Sequence, residues 1–120
     1  MGLDFRTEGI PWQEDINFDL RAHWSYSGFH AFRMRLAQSI GLAVPGDEPI
    51  DWAEQPLRAL LAHSDCDGIL TPQECKVVGP ALATAVWGWK PVDDYDRINA
   101  IKLAYQMSVC VVMNRNLEFC

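Results

Sequence analysis

One twelve-residue stretch, His63–Glu74, constrains this chain more than any other part of its sequence. Oxygen-bearing side chains occupy most of its alternate positions, Gly68 is sixth, Leu70 is eighth and a glutamate is last. A loop of this length can give a calcium ion oxygen ligands from alternate positions and a final bidentate glutamate, with a glycine at the sharp turn. The spacing therefore predicts a cation loop between two helices, with Leu70 directed into the core. The candidate ligands are His63, Asp65, Asp67, the backbone carbonyl of Ile69, Thr71 and Glu74.

The first position of the loop departs from this pattern, because it carries His63 where an aspartate is expected. Imidazole nitrogen suits zinc, copper or nickel better than calcium. The remaining carboxylates are those of Asp65, Asp67 and Glu74, so we expect calcium binding to be weak. A second interpretation is a zinc site, which needs three or four ligands. Its candidate ligands are His63, Asp65 or Cys66, and a distant His23 or His30.

The same stretch also has the sequence of a helix start. Thr71 suits the N-cap, Pro72 the first helical position and Glu74 the third, which together make a capping box. Asp65 and Asp67 can accept backbone N–H groups within the turn. A turn without a metal is therefore the competing interpretation, and the sequence leaves the two open.

Two helices flank the loop in this interpretation. The incoming helix carries Leu57, Leu60 and Leu61 toward the core. The exiting helix runs over residues 72–87, and its Gly79–Pro80 pair predicts a kink or a break.

Two further helices are indicated by their apolar faces. Ser25 or Ser27 caps a helix that ends near Ile40. The last helix extends to about Met113 and is apolar nearly all round, which predicts the central core helix. The alternative is that one of its sides faces a second subunit. Its apolar residues at three- and four-residue intervals are Ile98, Ile101, Tyr105, Val109 and Val112.

The expected fold is mainly α, a small helical bundle that forms a single domain over residues 1–120 and contains one helix-loop-helix around the candidate cation loop. Apolar and polar residues alternate at both ends of the chain, in Leu3–Arg6 and in Leu117–Phe119. We interpret these segments as short strands that pair with each other or with the segment 22–26.

Composition excludes several classes of function. The formal net charge is −6, and the ten basic residues are scattered, which argues against nucleic acid or an anionic membrane as the main partner. No signal peptide is visible in residues 1–10, and no apolar run approaches the length of a membrane span. The four cysteines lack CxxC spacing, so we expect reduced thiols in a cytoplasmic protein, with Cys75 and Cys110 in the core and Cys120 as a terminal thiol.

Three segments, His23–His30, His63–Gly68 and Asp94–Arg97, resemble a family of small bacterial and phage proteins. That resemblance covers most of the chain from Ala22 onward and implies a single-domain protein, without assigning a reaction. Residues 65–74 and their flanking helices separately resemble the EF-hand superfamily, which implies a calcium loop. EF-hands usually work in pairs and this sequence has no second loop of matching spacing, so the resemblance does not imply a calcium sensor.

These features favour a non-catalytic binding protein whose EF-hand-like loop shapes its fold and binds Ca²⁺ weakly, with Zn²⁺ as the alternative ion. The alternative function is a small metal-dependent enzyme that uses His63, Asp65 and either His23 or His30. The chain contains no GxSxG, no HExxH and no phosphate-binding glycine-rich loop. A third hypothesis is an assembly or antagonist protein that acts on another protein through surface aromatics. The partners that these features allow are a protein partner and a homo-oligomer.

Overall fold

The computed structural model describes residues 2–11, 14–15, 20–41, 55–63, 67–89 and 94–120. Within these ranges the elements follow one another from a strand at one end of the chain to a strand at the other. They are β1 (Gly2–Thr7), β2 (His23–Ser25), α1 (Tyr26–Ser39), α2 (Arg58–Leu61), β3 (Gly68–Leu70), α3 (Pro72–Trp87), α4 (Tyr95–Met113) and β4 (Leu117–Phe119).

A four-stranded antiparallel sheet in the described part of the chain makes the fold mixed α/β, so the expected helical bundle is wrong. The strand order is β2-β1-β4-β3, with the two terminal segments paired at its centre. Phe5 lies opposite Phe119, and Leu70 lies opposite Leu117. The predicted strands at the two ends of the chain are confirmed, because β1 pairs with β4 and also with β2 in segment 22–26. β3, which has only three residues, was not predicted as a strand.

The alternation of β1 decides which side of the sheet faces the core. Leu3, Phe5 and Thr7 are buried, whereas Asp4 and Arg6 are only half-buried and lie on the other side. Most helical packing lies on the buried side, where α1, α3 and α4 contribute to one apolar cluster. The other side, which we call the outer face, carries polar side chains such as Asp4 and His23.

Five aromatic rings fill the space between the sheet and α1. Trp24 stacks on Phe32 with ring centroids 4.8 Å apart, and Phe5 meets Phe119 edge to face at 4.9 Å. Phe29 lies within 6.0 Å of both Phe5 and Phe119. Such offset and edge-to-face pairs stabilise a core beyond the area they bury, because each ring edge meets the electron-rich face of its neighbour.

The expected limits of α1 and α3 agree closely with the structure. Ser25 caps α1 by accepting the Gly28 N–H at 3.0 Å. α3 continues through Gly79–Pro80 as one helix, so the break that this pair was expected to cause is absent. Gly79 allows α4 to come close, since a Cβ at this position would lie 3.3 Å from the Cβ of Met107.

α4 buries one of its sides and exposes another, although both are apolar. Its buried face consists of Ala100, Leu103, Ala104, Met107 and Cys110. Most of the apolar residues that recur at three- and four-residue intervals are turned to solvent, as the exposed fractions show: Ile98 46%, Ile101 37%, Tyr105 48% and Val112 86%. The helix is therefore a core helix on one of its sides. A helix that is apolar nearly all round gives no sequence signal that distinguishes its inner side from its outer side.

No helix among the described residues is long and apolar enough to cross a bilayer.

The buried carboxylate of Asp96 joins the sheet to α1 and α4. Its Oδ1 accepts the indole N–H of Trp24 at 3.0 Å, and its Oδ2 accepts the Nε–H of Arg35 at 2.8 Å. Asp96 is 5% exposed, so its charge needs these partners.

Replacing Asp96 with alanine is expected to lower the free energy of unfolding by about 2–3 kcal/mol, because a buried indole N–H and the Arg35 guanidinium lose their acceptor. Asp96→Asn keeps a carbonyl oxygen for Trp24 and should cost about 1 kcal/mol. Urea unfolding measures both variants. A loss below about 0.5 kcal/mol for Asp96→Ala, which is typical of a surface position, would contradict this role.

Candidate functional site

The candidate cation loop lies between one turn of helix and the start of α3. α2 spans only Arg58–Leu61, where a longer incoming helix was expected. Leu57 and Leu60 are buried as predicted, and Leu61 is half-buried. β3 then joins the sheet edge and directs the buried Leu70 into the core.

His63 forms a bond across the loop. Its Nε2 lies 2.9 Å from the carbonyl oxygen of Ile69, and because a carbonyl only accepts, Nε2–H is the donor. The ring also stacks on Phe119, with centroids 3.8 Å apart. Gly68 has φ +106°, and a Cβ there would lie 3.0 Å from His63 Cε1. The first and seventh loop positions, both expected to be ligands, are therefore bonded to each other.

Arg33 of α1 places a positive charge at the beginning of the loop. Its Nη1 donates to the carbonyl of His63 and lies 3.4 Å from that of Leu60. The guanidinium thus caps the carbonyl end of α2, although the residue is only 9% exposed. A cation bound nearby would be repelled by this charge, since Coulomb forces are weakly screened at buried sites.

Thr71 and Glu74 form the capping box that their spacing predicted. The Thr71 N–H donates to Glu74 Oε1 at 2.9 Å, and Thr71 Oγ1 accepts the Glu74 N–H at 3.2 Å. Both side chains that were candidate ligands at the end of the loop therefore bond to the first turn of α3. The left-handed φ of Gly68 and this cap account for the glycine and the glutamate without an ion.

The structure describes one of the other two loop carboxylates. Asp67 is exposed, and Asp65 lies outside the described residues. Among the residues that the structure describes, no group of three or more His, Cys, Asp or Glu side chains could hold a metal ion. The structure brings together His63 with Ile69, and Thr71 with Glu74, as two separate pairs.

The histidines proposed for a metal-dependent enzyme do not all converge. His23 Nδ1 lies 2.9 Å from Asp4 Oδ1 on the outer face of the sheet. His63 stacks on Phe119, whose ring is on the opposite, buried face. β2 and β3 are also the two edges of the sheet, about 14 Å apart at the usual strand spacing. His30 is an exposed residue of α1, one turn before Arg33.

A polar cluster that the sequence analysis did not identify links β2 to the start of α4. The Tyr95 hydroxyl donates to the carbonyl of His23 at 2.7 Å, and Asn99 Oδ1 accepts the His23 N–H at 3.0 Å. His23 and Tyr95, with Trp24 and Asp96, border a depression of about 420 Å³. The only sequence signal was polar residues at helical spacing in an otherwise apolar α4, and the partner they bond cannot be read from such spacing.

An apolar groove of about 450 Å³ lies between α3 and α4 on the side away from the sheet. No sequence feature predicted this groove, although one expected alternative was that a side of the last helix faces a second subunit. It opens to solvent along the exposed stripe of α4. The residues that line it include Pro80, Ala83, Ile101, Ala104, Tyr105 and Val112.

Two cysteines lie where the sequence placed them. Cys75 and Cys110 are buried between α3 and α4, and the Cys110 thiol is 3.8 Å from Thr7 Oγ1. Hydrogen bonding to Cys110, together with burial, raises the pKa of Cys75. Cys120 is exposed, yet partial burial of its thiol and the nearby Asp4 carboxylate raise its pKa as well. A raised pKa leaves less of the nucleophilic thiolate at a given pH.

Comparison with protein-family models, with curated proteins and with solved structures finds no match for this chain. The resemblance to small bacterial and phage proteins therefore stays a prediction. Two of its segments do contact each other, since His23–Trp24 is bonded to Tyr95–Asp96.

Thr71→Ala is expected to lower the free energy of unfolding by about 1 kcal/mol in the presence of a chelator, because the first turn of α3 loses its cap. Glu74→Gln keeps a carbonyl oxygen for the Thr71 N–H and should stay within about 0.5 kcal/mol of the parent protein. Chemical unfolding in chelator measures both. An equal loss for the two variants would show that the Glu74 charge, and not the capping geometry, holds the turn.

The thiols are expected to react in two classes with an aromatic disulfide reagent when Cys66 is replaced by serine. Cys75 and Cys110 should react only as the protein unfolds, and Cys120 should react more slowly than free cysteine at pH 8 and faster as the pH rises. Asp4→Asn removes a carboxylate that disfavours the thiolate, so it should increase the Cys120 rate at pH 8. Fast labelling of Cys75 in the folded protein would contradict this assignment.

Proposed function

We propose that this chain is a non-catalytic binding protein and that the groove between α3 and α4 is its binding surface. The observation that carries the proposal is the exposed apolar stripe of α4 above a groove of ligand-sized volume. Sites of this kind are concave, mostly apolar and a few hundred Å³ in volume. Isolated proteins rarely leave such contiguous apolar surface open, so its exposure supports a partner, and we take that partner to be a protein.

Two further observations agree with this proposal. The groove walls are largely apolar, with Lys76 as the charged residue among their lining, which suits binding better than acid–base chemistry. The described cysteines are all free thiols, including the adjacent pair Cys75 and Cys110, which supports a reducing compartment such as the cytoplasm.

The groove is tested with 1-anilinonaphthalene-8-sulfonate, a dye whose fluorescence increases in apolar sites. The folded protein should increase the fluorescence, and the double variant Ile101→Gln, Tyr105→Gln should not. Because both positions are exposed, unfolding free energy should change by no more than about 1 kcal/mol.

Val77→Gln is the matched control, since Val77 is 53% exposed on α3 but does not line the groove. It should leave the fluorescence unchanged. Dye binding that persists in the double variant, or a loss of several kcal/mol in its stability, would reject the groove as a binding surface.

Weak binding of a divalent cation by residues 63–74 is a second candidate. The left-handed turn at Gly68 and the position of Glu74 at the start of α3 support an EF-hand-like order of elements. A cation would have to displace the His63–Ile69 bond and bind close to the Arg33 guanidinium, which is why we propose low affinity. Ca²⁺ is the expected ion and Zn²⁺ the alternative.

His63→Asp should increase calcium affinity, because it removes the bond that holds the Ile69 carbonyl and adds a carboxylate at the first loop position. The thermal midpoint of chelator-treated protein is measured with and without calcium. An ion at a hundred times its dissociation constant adds about 2.7 kcal/mol, which raises the midpoint by several degrees. The gain should disappear when Glu74→Gln is added. No calcium shift in His63→Asp would exclude the loop as a calcium site, and a shift with zinc alone in the parent protein would favour the imidazole as ligand.

A further inference from the structure

The exposed sides of α3 and α4 form one continuous surface, which we call the α3/α4 face. On α4, Ile98, Ile101, Tyr105 and Val112 follow the alternating three- and four-residue spacing by which one helix packs on another. On α3 the same spacing is followed by Lys76, Pro80, Ala83 and Trp87. The groove lies between these two rows.

The two ends of the α3/α4 face carry different side chains. α3 and α4 run antiparallel, because Cys75 near the start of α3 contacts Cys110 near the end of α4, whereas Gly79 further along α3 packs against the earlier Ala104 and Met107. Lys76 and Val112 therefore lie at one end, and both line the groove. Trp87, at the end of α3, lies at the other end, about 16 Å from Lys76 along the helix. Asp94 is also at that end, immediately before α4, where its Oδ1 lies 3.7 Å from Arg97 Nε and its side chain is still 68% exposed.

The exposed area is sufficient for a specific contact between proteins. Trp87 is 77% exposed. Added to the exposed fractions of Ile98, Ile101, Tyr105 and Val112, this amounts to the full surface of about three large side chains. At roughly 200 Å² for each, one copy offers about 600 Å². Burial of two such faces removes about 1,200 Å², which reaches the lower limit of specific protein interfaces.

A twofold axis perpendicular to the α3/α4 face would bring unlike ends of two copies into contact. Such an axis places the Lys76 end of one copy against the Trp87 and Asp94 end of the other. The ammonium group would then meet an indole ring, which attracts it, and the exposed Asp94 carboxylate, which it would share with Arg97 of the same copy. The net charge of −6 opposes association in general, but Lys76 is the only charged residue in either row that forms this face.

We propose that the occupant of the groove is a second copy of this chain, and that two copies pair through the α3/α4 face as a symmetric dimer with four helices at its centre. The inference rests on the proposed binding function of the groove and names its partner. A helix of another protein and a small apolar ligand are the other occupants that the experiment must separate from it.

Sedimentation equilibrium over a wide range of protein concentration tests the pairing. The parent protein should show a dimer mass, and Ile101→Glu should raise the dimer dissociation constant at least tenfold, because it buries an unpaired carboxylate. Val77→Gln, outside the face, should leave the constant unchanged. Circular dichroism and the thermal midpoint confirm that each variant is folded.

Charge reversal supplies a second test that does not depend on an apolar position. Lys76→Asp or Asp94→Lys alone should weaken the dimer several-fold, and the two together should restore it, because the attraction across the axis is re-formed with its signs exchanged. Rescue by the double variant identifies the pairing of unlike ends. Failure of rescue would overturn the proposed axis.

The outcomes for the dimer and for the groove are distinguishable when dye binding is measured on protein diluted to its monomeric form, since pairing would cover the groove. A parent protein that remains monomeric at all concentrations overturns the dimer, and so does a dimer that Ile101→Glu leaves intact. If dye binding still depends on Ile101 and Tyr105 in that case, the groove remains a binding surface for a different partner. If dye binding is also independent of these residues, both proposals fail.

Discussion

The hydrogen bond between the Trp24 indole and the Asp96 carboxylate holds the two layers of this protein together. Trp24 belongs to an edge strand only three residues long, which backbone pairing alone could not keep in place. Its ring packs against Phe5, Phe29 and Phe32, and its N–H reaches α4. A single side chain thereby fixes β2, α1 and α4 relative to one another. The other strands pack on the apolar surface to which these elements contribute.

The loop at residues 63–74 illustrates how one spacing can serve two purposes. A glutamate three residues after a threonine closes a capping box, and the same glutamate at the twelfth position closes a cation loop. In the structure, the Glu74 carboxylate accepts the Thr71 N–H and closes the capping box. His63 stabilises the same turn, since its ring donates to the carbonyl that a cation in this loop would coordinate. An imidazole at this position therefore replaces, within the protein, part of what a metal does elsewhere.

Local signals in the sequence predicted local structure well. The Ser25 cap, the Thr71–Glu74 box and the limits of α3 depend on neighbours within one helical turn, and each is present. The alternation at the two ends of the chain correctly predicted β1 and β4 and their pairing, and segment 22–26 as a further partner. β3 was missed, because its pairing of Leu70 with Leu117 depends on residues far apart in the chain. Which side of α4 is buried could not be predicted, because both of its sides are apolar and the choice depends on neighbouring elements such as α3, whose Gly79 packs against Met107.

The central pairing of β1 with β4 has a consequence for synthesis. β1 is made first, yet its central neighbour is made only after every helix of the described chain. At about 5–20 residues per second, a ribosome needs on the order of ten seconds to pass from Thr7 to Leu117. During that interval one edge of β1 offers free N–H and C=O groups to other nascent chains. Translation speed and chaperone access, rather than final stability, would then limit how much of this protein reaches its folded state in a cell.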